Sequence, residues 1–214
     1  MTCSQCKGIE ELFNQEFVDK ELARYRSKGP QKTTRMLTQA LKAEVIEGFT
    51  LLDIGGGLGA VQHELINAGI RFVTSVEASS AYLAVAKTEA QRRGHSERVS
   101  FHHGNFVELA ASLSPADIVT LDRVICCYPD MEKLVDLSAA RTRKLYGLVY
   151  PRDTWWVKVG LAVGNVIFRL RRSHYRTYSH PTRSVEALVK RRGLKRRSYR
   201  RTLVWQVVVY TRDG

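Results

Sequence analysis

Apolar residues at Ile9, Leu12, Phe13, Phe17, Leu22 and Tyr25 fall near one stripe of a helical wheel, which predicts an amphipathic helix over residues 9–27. Gly29-Pro30 breaks that pattern, and a second helix is predicted over 31–47. After Gly48, short apolar runs alternate with helical periodicity. Residues 49–54, 72–76, 99–102, 118–121 and 148–150 read as strands. Residues 60–68, a stretch capped by Ser79 or Ser80 and ending near Arg93, 106–113 and 130–144 read as the helices between them. A last helix near 181–192 precedes two strands, 195–200 and 203–211.

Such alternation implies parallel strands joined by right-handed helical crossovers, hence a Rossmann-like α/β sheet with helices on both faces. The last two strands lie too close in sequence for a crossover, so the sheet is expected to finish with an antiparallel strand. The predicted organisation is an N-terminal helical cap over 1–47 and a main domain over 48–214. The main domain carries an insertion at about 153–180, after the fifth strand. Inside the insertion, residues 155–170 are apolar almost all round, broken by Lys158, Asn165 and Arg169. Sixteen residues are short of the ~20 that cross a bilayer. Gly160 and Gly164 have GxxxG spacing. A lid over an apolar substrate is the preferred reading, followed by plain core and by peripheral membrane contact.

The 214 residues carry a formal net charge of +13. Between Arg169 and Arg201 thirteen Lys/Arg face one acid, Glu186, so this stretch holds +12 of the +13. The excess is a local patch: a solvated surface, or a face for nucleic acid, an anionic membrane or a carboxylate-bearing substrate. Four cysteines do not make a disulfide scaffold. The first twenty residues hold no apolar run, so a cytoplasmic location with reduced thiols is the expectation. Cys3 and Cys6 have zinc-hairpin spacing, but adjacent Cys126 and Cys127 are poor partners for completing a tetrahedron, and no metal is expected.

The sharpest chemical signal is Asp53-Ile54-Gly55-Gly56-Gly57-Leu58-Gly59, at a strand-to-helix turn. Glycines there permit unusual backbone angles and close ligand approach, and the helix start offers free N–H groups. Gly55, Gly57 and Ala60 also satisfy the dinucleotide pattern G-x-G-x-x-[GA]. Asp53 would repel pyrophosphate but can accept from an ammonium group. Glu77, after the second strand, can accept ribose hydroxyls. Asn105 and Phe106, after the third, can hold adenine by an amide and an aromatic face. An amino-acid head, a ribose and an adenine without phosphate describe S-adenosylmethionine (SAM). Read separately, Asp53 and Asn105 are equally caps or turn formers.

With this ordered set the chain resembles the class I SAM-dependent methyltransferases. The resemblance implies a seven-stranded sheet with an antiparallel last strand. It also implies a cofactor site on Asp53, Gly55, Gly56, Gly57, Gly59, Glu77, Ala78, Asn105, Phe106 and Asp122. A narrower resemblance, to the magnesium-protoporphyrin O-methyltransferases, rests on Arg123-Val124-Ile125-Cys126-Cys127-Tyr128-Pro129, Tyr150-Pro151-Arg152-Asp153-Thr154 and Thr177-Tyr178-Ser179-His180. Those enzymes tend to have His where Cys127 stands, and class I methyltransferases usually carry Asp where Asn105 stands.

The implied activity is in-line methyl transfer to a small, apolar and carboxylated acceptor. Alignment and exclusion of water do most of the work in such a step. Tyr128, Tyr178 and His180 are the candidate catalytic side chains, and His63, His102 and His103 read as surface groups. Arg26 or Lys28 is expected to meet the cofactor carboxylate, with Thr33 or Thr34 donating to it. The alternatives are an RNA methyltransferase using the basic patch, an NAD(P)-dependent oxidoreductase using the same glycine loop, and a SAM-binding module without turnover. Against the first, neither a [DNS]-P-P-[FYW] tetrad nor a Pro-Cys nucleophile is present.

Overall fold

The computed structural model describes residues 4–212. Its elements are α1 (Ser4–Leu12), α2 (Gln15–Lys28), α3 (Lys32–Lys42), β1 (Thr50–Ile54), α4 (Ala60–Ile66), β2 (Phe72–Glu77), α5 (Ser80–Arg92), β3 (Val99–His103), α6 (Phe106–Leu109), β4 (Ala116–Asp122), α7 (Met131–Ala140), β5 (Thr142–Pro151), α8 (Trp155–Leu170), α9 (Thr182–Arg191), β6 (Leu194–Arg201) and β7 (Trp205–Arg212). The seven strands form one sheet in the order β3-β2-β1-β4-β5-β7-β6. The first five run parallel, and β7 is inserted antiparallel between β5 and β6.

Alternation along each strand splits the core into two layers. Leu52, Val119, Leu121, Leu148 and Val208 meet Leu134, Val135, Val185 and Val189 of α7 and α9 on one face. Leu51, Ile118, Val149, Val207 and Val209 meet Leu37, Leu41, Val61 and Leu65 of α3 and α4 on the other. Helix α3 is therefore part of the main core, and a boundary at residue 47 would cut through that layer.

Several element boundaries differ from the sequence expectation, three of them with a clear local cause or consequence. The first helix is two helices, because the Asn14 side chain accepts from the Phe17 N–H and starts α2 afresh. The predicted second helix stops at Lys42 rather than at 47. The helix expected to reach 144 ends at Ala140, and β5 starts two residues later. There Thr142 pairs with Ala116 of β4, and its hydroxyl donates to the Ser138 carbonyl. Arg143 and Lys144 stay exposed.

Helix α1 lies across one end of the sheet. Gly8 makes the approach possible, since a Cβ there would stand 2.4 Å from the Tyr175 nitrogen. Polar ties hold α1 in place. Gln5 donates to the carbonyls of Cys127 and Arg176, Glu10 accepts from Ser80, and Glu11 bonds His174. The basic stretch spreads over α9 and β6, where Arg192–Asp136, Arg196–Glu186 and Arg197–Glu44 ion pairs offset part of it.

Candidate active site

The glycine loop leaves β1 with Gly55, Gly57 and Gly59 all at positive φ (65°, 53° and 80°). At Gly56 the constraint is space. A Cβ would sit 2.4 Å from Gln62 Nε2 and 2.8 Å from Asp53 Oδ2. The Gly57 N–H donates to Glu77 Oε2 at 2.9 Å, and the other Glu77 oxygen accepts from the Ser79 N–H. Burial raises the Glu77 carboxyl above its ordinary range.

Asp53 lies beneath the loop, almost fully covered. Its two oxygens accept from Thr120 Oγ1 and Gln62 Nε2 at 2.7 and 3.1 Å. Burial pushes its carboxyl up to about 7. Asn105 caps α6, accepting from the Val107 N–H. Its Nδ2 donates to the Tyr128 hydroxyl at 3.1 Å. One side chain thus caps α6 and faces the cavity.

Gly55, Gly57, Glu77, Ala78, Asn105, Phe106, Asp122 and Tyr128 all line one cavity of about 520 Å³. Its remaining wall is mostly apolar: Ile9 and Leu12 of α1, Phe13 just after it, Phe17 of α2, and Leu161 and Phe168 of α8. A smaller cavity of about 70 Å³ adjoins it through Gly55, Gly57, Tyr82, Asp122 and Arg123, and also reaches Asp53, Gly56, Arg24 and Thr34. Gly59 caps α4 at the far end of the loop, against Gln62 and His63.

Several predicted residues stand elsewhere. His180 is behind the cavity wall, where its Nε2 bonds the Tyr128 carbonyl and burial lowers its pKa. Tyr178 stacks on it at 5.9 Å, and its N–H donates to the Cys126 carbonyl. These two residues fasten the 173–181 segment to the loop after β4, whereas Tyr128 faces the cavity. Arg26 pairs with buried Glu89, and Lys28 is exposed at the end of α2. Thr34 donates to Asp122 Oδ2 at 2.5 Å, and Thr33 is buried beside it. His63 is buried, 3.0 Å from His95, and burial brings its pKa down to about 3, so it is not the surface group expected. Cys3 and the Cys6 side chain, on which the zinc-hairpin reading rests, lie outside the described residues.

The sequence reading missed Arg24 and the Cys127–Tyr175 pair. Phe17, Glu21 and Arg24 follow helical spacing on the side of α2 that faces the cavities, while Arg26 is rotated about 200° from Arg24. Arg24 Nε is buried without a hydrogen bond, next to the smaller cavity. Cys127 Sγ and the Tyr175 hydroxyl stand 2.8 Å apart on the main cavity wall. Hydrogen bonding from Cys126, then from Tyr175, holds the Cys127 thiol below its ordinary range against the effect of burial.

Residues 51–144 match the family described as a methyltransferase domain. No curated protein matches the chain in sequence. Among solved structures, the magnesium protoporphyrin IX methyltransferase of Synechocystis PCC 6803 with bound SAH superposes with a TM-score of 0.76 at 16% identity, over 98% of this chain and 100% of that one. The geranyl diphosphate C-methyltransferase of Streptomyces coelicolor A3(2), in complex with Mg2+, geranyl diphosphate and S-adenosyl-L-homocysteine, gives 0.67 at 14% identity, over 93% and 84%. An O-methyltransferase family protein from Burkholderia thailandensis gives 0.65 at 15%, over 94% and 64%. Residues 51–144 thus match a methyltransferase domain, and the whole sheet, with its inserted antiparallel strand, has the fold of these solved methyltransferases.

Proposed function

We propose that the chain methylates a small, largely apolar, carboxylated acceptor bound in the main cavity. The single observation behind this reading is that the glycine loop, Glu77 and Asn105 open into the same chamber as the apolar walls of α1 and α8. The residues present fit the cofactor. The Arg24 guanidinium, whose Nε lies 3.5 Å from Glu21 Oε1 without a hydrogen bond, borders the smaller cavity and suits the carboxylate of an amino-acid head. Asp53 and Asp122 border the same space and favour its ammonium group. Glu77 and Ala78 would take the ribose, and Asn105 and Phe106 the adenine. When bound, SAM supplies a methyl group already activated by the sulfonium charge.

The protein's part is then alignment and dryness. Every carboxylate on the main wall already accepts a hydrogen bond: Glu77 from Gly57 and Ser79, Asp122 from Thr34 and Arg123, Glu21 from Gln31. His180 is turned away. A wall so committed suits an acceptor oxygen that is nucleophilic without a base, which a carboxylate is. Tyr128, held by Asn105, is the hydroxyl placed to orient that acceptor. The likeness to a magnesium protoporphyrin IX methyltransferase over its whole length supports an acceptor of this class.

The test is a transfer assay with methyl-labelled SAM across carboxylated tetrapyrroles, phenols, quinone precursors, fatty acids and tRNA, alongside calorimetry. Label is expected in a carboxylated apolar compound, with heat on titrating SAM or SAH. Heat with NADH and none with SAM, or label in tRNA alone, would overturn the reading.

A further inference from the structure

Helix α8 has two apolar faces. Val157, Leu161 and Phe168 turn inward, and the latter two line the main cavity. On the opposite side Trp155, Val159, Val163, Val166 and Leu170 form a stripe at spacings of four, four, three and four. They are 73%, 55%, 55%, 55% and 79% exposed. Nothing among the described residues packs on this stripe. Beside the stripe, Trp156 in the first turn lies under the Arg152 guanidinium, and Arg152 also reaches the carbonyls of Thr202 and Leu203 in the β6–β7 turn. Leu203 in that turn is 73% exposed.

Charge along this stretch of chain has one sign. No acid occurs between Asp153 and Glu186. Lys158, Arg169, Arg171 and Arg172 are exposed and form no ion pair among the described residues. A second copy seated on this face would bring basic residues against their own counterparts, which disfavours a symmetric pair. An anionic surface meets both features at once. At about 24 Å the helix is too short to cross a bilayer of ~30 Å, so it would lie in the interfacial plane. No helix among the described residues is long and apolar enough to span a membrane.

We propose that the outer face of α8, with the β6–β7 turn, docks on an anionic lipid bilayer, its valines and Trp155 inserted at the headgroup level and its basic residues on the phosphates. The inner face of the same helix walls the acceptor chamber, so docking sets that chamber directly against the lipid in which an apolar acceptor dissolves. The docking claim stands apart from the methyl-transfer reading, because it is tested without SAM or acceptor.

The test is flotation of the full chain with vesicles of phosphatidylcholine alone or of phosphatidylcholine and phosphatidylglycerol at roughly 2:1. Flotation with the anionic vesicles, weakened by salt and accompanied by a blue shift of tryptophan emission, is expected. Val159→Glu/Val163→Glu should lower vesicle affinity about tenfold or more, and so should Arg169→Glu/Arg171→Glu. All four side chains are exposed, so both variants should keep the far-UV circular dichroism of the parent. Failure to float with anionic vesicles, flotation that both variants retain, or a concentration-dependent dimer that Val159→Glu/Val163→Glu dissolves in the absence of vesicle binding would each overturn the proposal.

Discussion

The Gly57 N–H donates to Glu77 across 2.9 Å, joining the loop after the first strand to the end of the second through one carboxylate. The same carboxylate holds the Ser79 N–H at the start of α5. Glu77 therefore shapes the loop and borders the chamber in which a ribose would lie.

Glu77→Ala should weaken SAM binding by about ten- to a hundredfold, the effect of losing charge-assisted hydrogen bonds of roughly 1.5–3 kcal/mol. Glu77→Gln keeps one acceptor oxygen and should lose less. Titration calorimetry separates the two. Equal affinity in parent and Glu77→Ala would remove Glu77 from the site.

Asp53 gives a pH prediction with a definite sign. Its folded-state pKa, raised by burial to about 7, lies above the unfolded value of about 3.9. The folded state then holds more protons than the unfolded one between those values, so this group's contribution falls as pH rises through that window. Asp53→Asn cannot titrate. Denaturant midpoints measured from about pH 4 to pH 8 should decline less steeply in the variant than in the parent. Parallel profiles would show that Asp53 keeps an ordinary pKa.

Gly55 combines positive φ with contact. A Cβ there would stand 2.5 Å from Val124 Cγ2. Gly55→Ala should cost about 1–3 kcal/mol, and Gly55→Ala/Val124→Ala should recover part but not all of it, because the backbone strain remains. Chemical denaturation of the three proteins measures both parts. Full recovery would mean that the contact alone matters.

The alternation of strands and helices was legible because its signals are local: Ser79 caps α5, Gly48 and Gly94 mark turns, and apolar runs repeat. The start of β5 was not. Arg141, Arg143 and Lys144 look like the last turn of a helix, and only pairing with Ala116, distant in sequence, makes Thr142 a strand residue. That Glu77, Asn105 and Asp122 share one cavity wall was readable from their places after successive strand ends. Arg24 was not distinguished from Arg26, since the choice depends on which side of α2 meets the loop and which meets Glu89. Where Tyr178 and His180 stand was hidden for a related reason: only the fold shows the imidazole directed toward the Tyr128 carbonyl and the two rings stacked.

Helix α1 is nine residues long, and it touches the rest of the chain near Ser80, Cys127 and His174 at once. A helix that short does not persist by itself in water. The chamber's opening is thereby tied to local melting of its roof, an event far easier than unfolding of the sheet. Osmolytes or gentle warming that tilt this small equilibrium should alter how fast ligands exchange well before they disturb the seven strands.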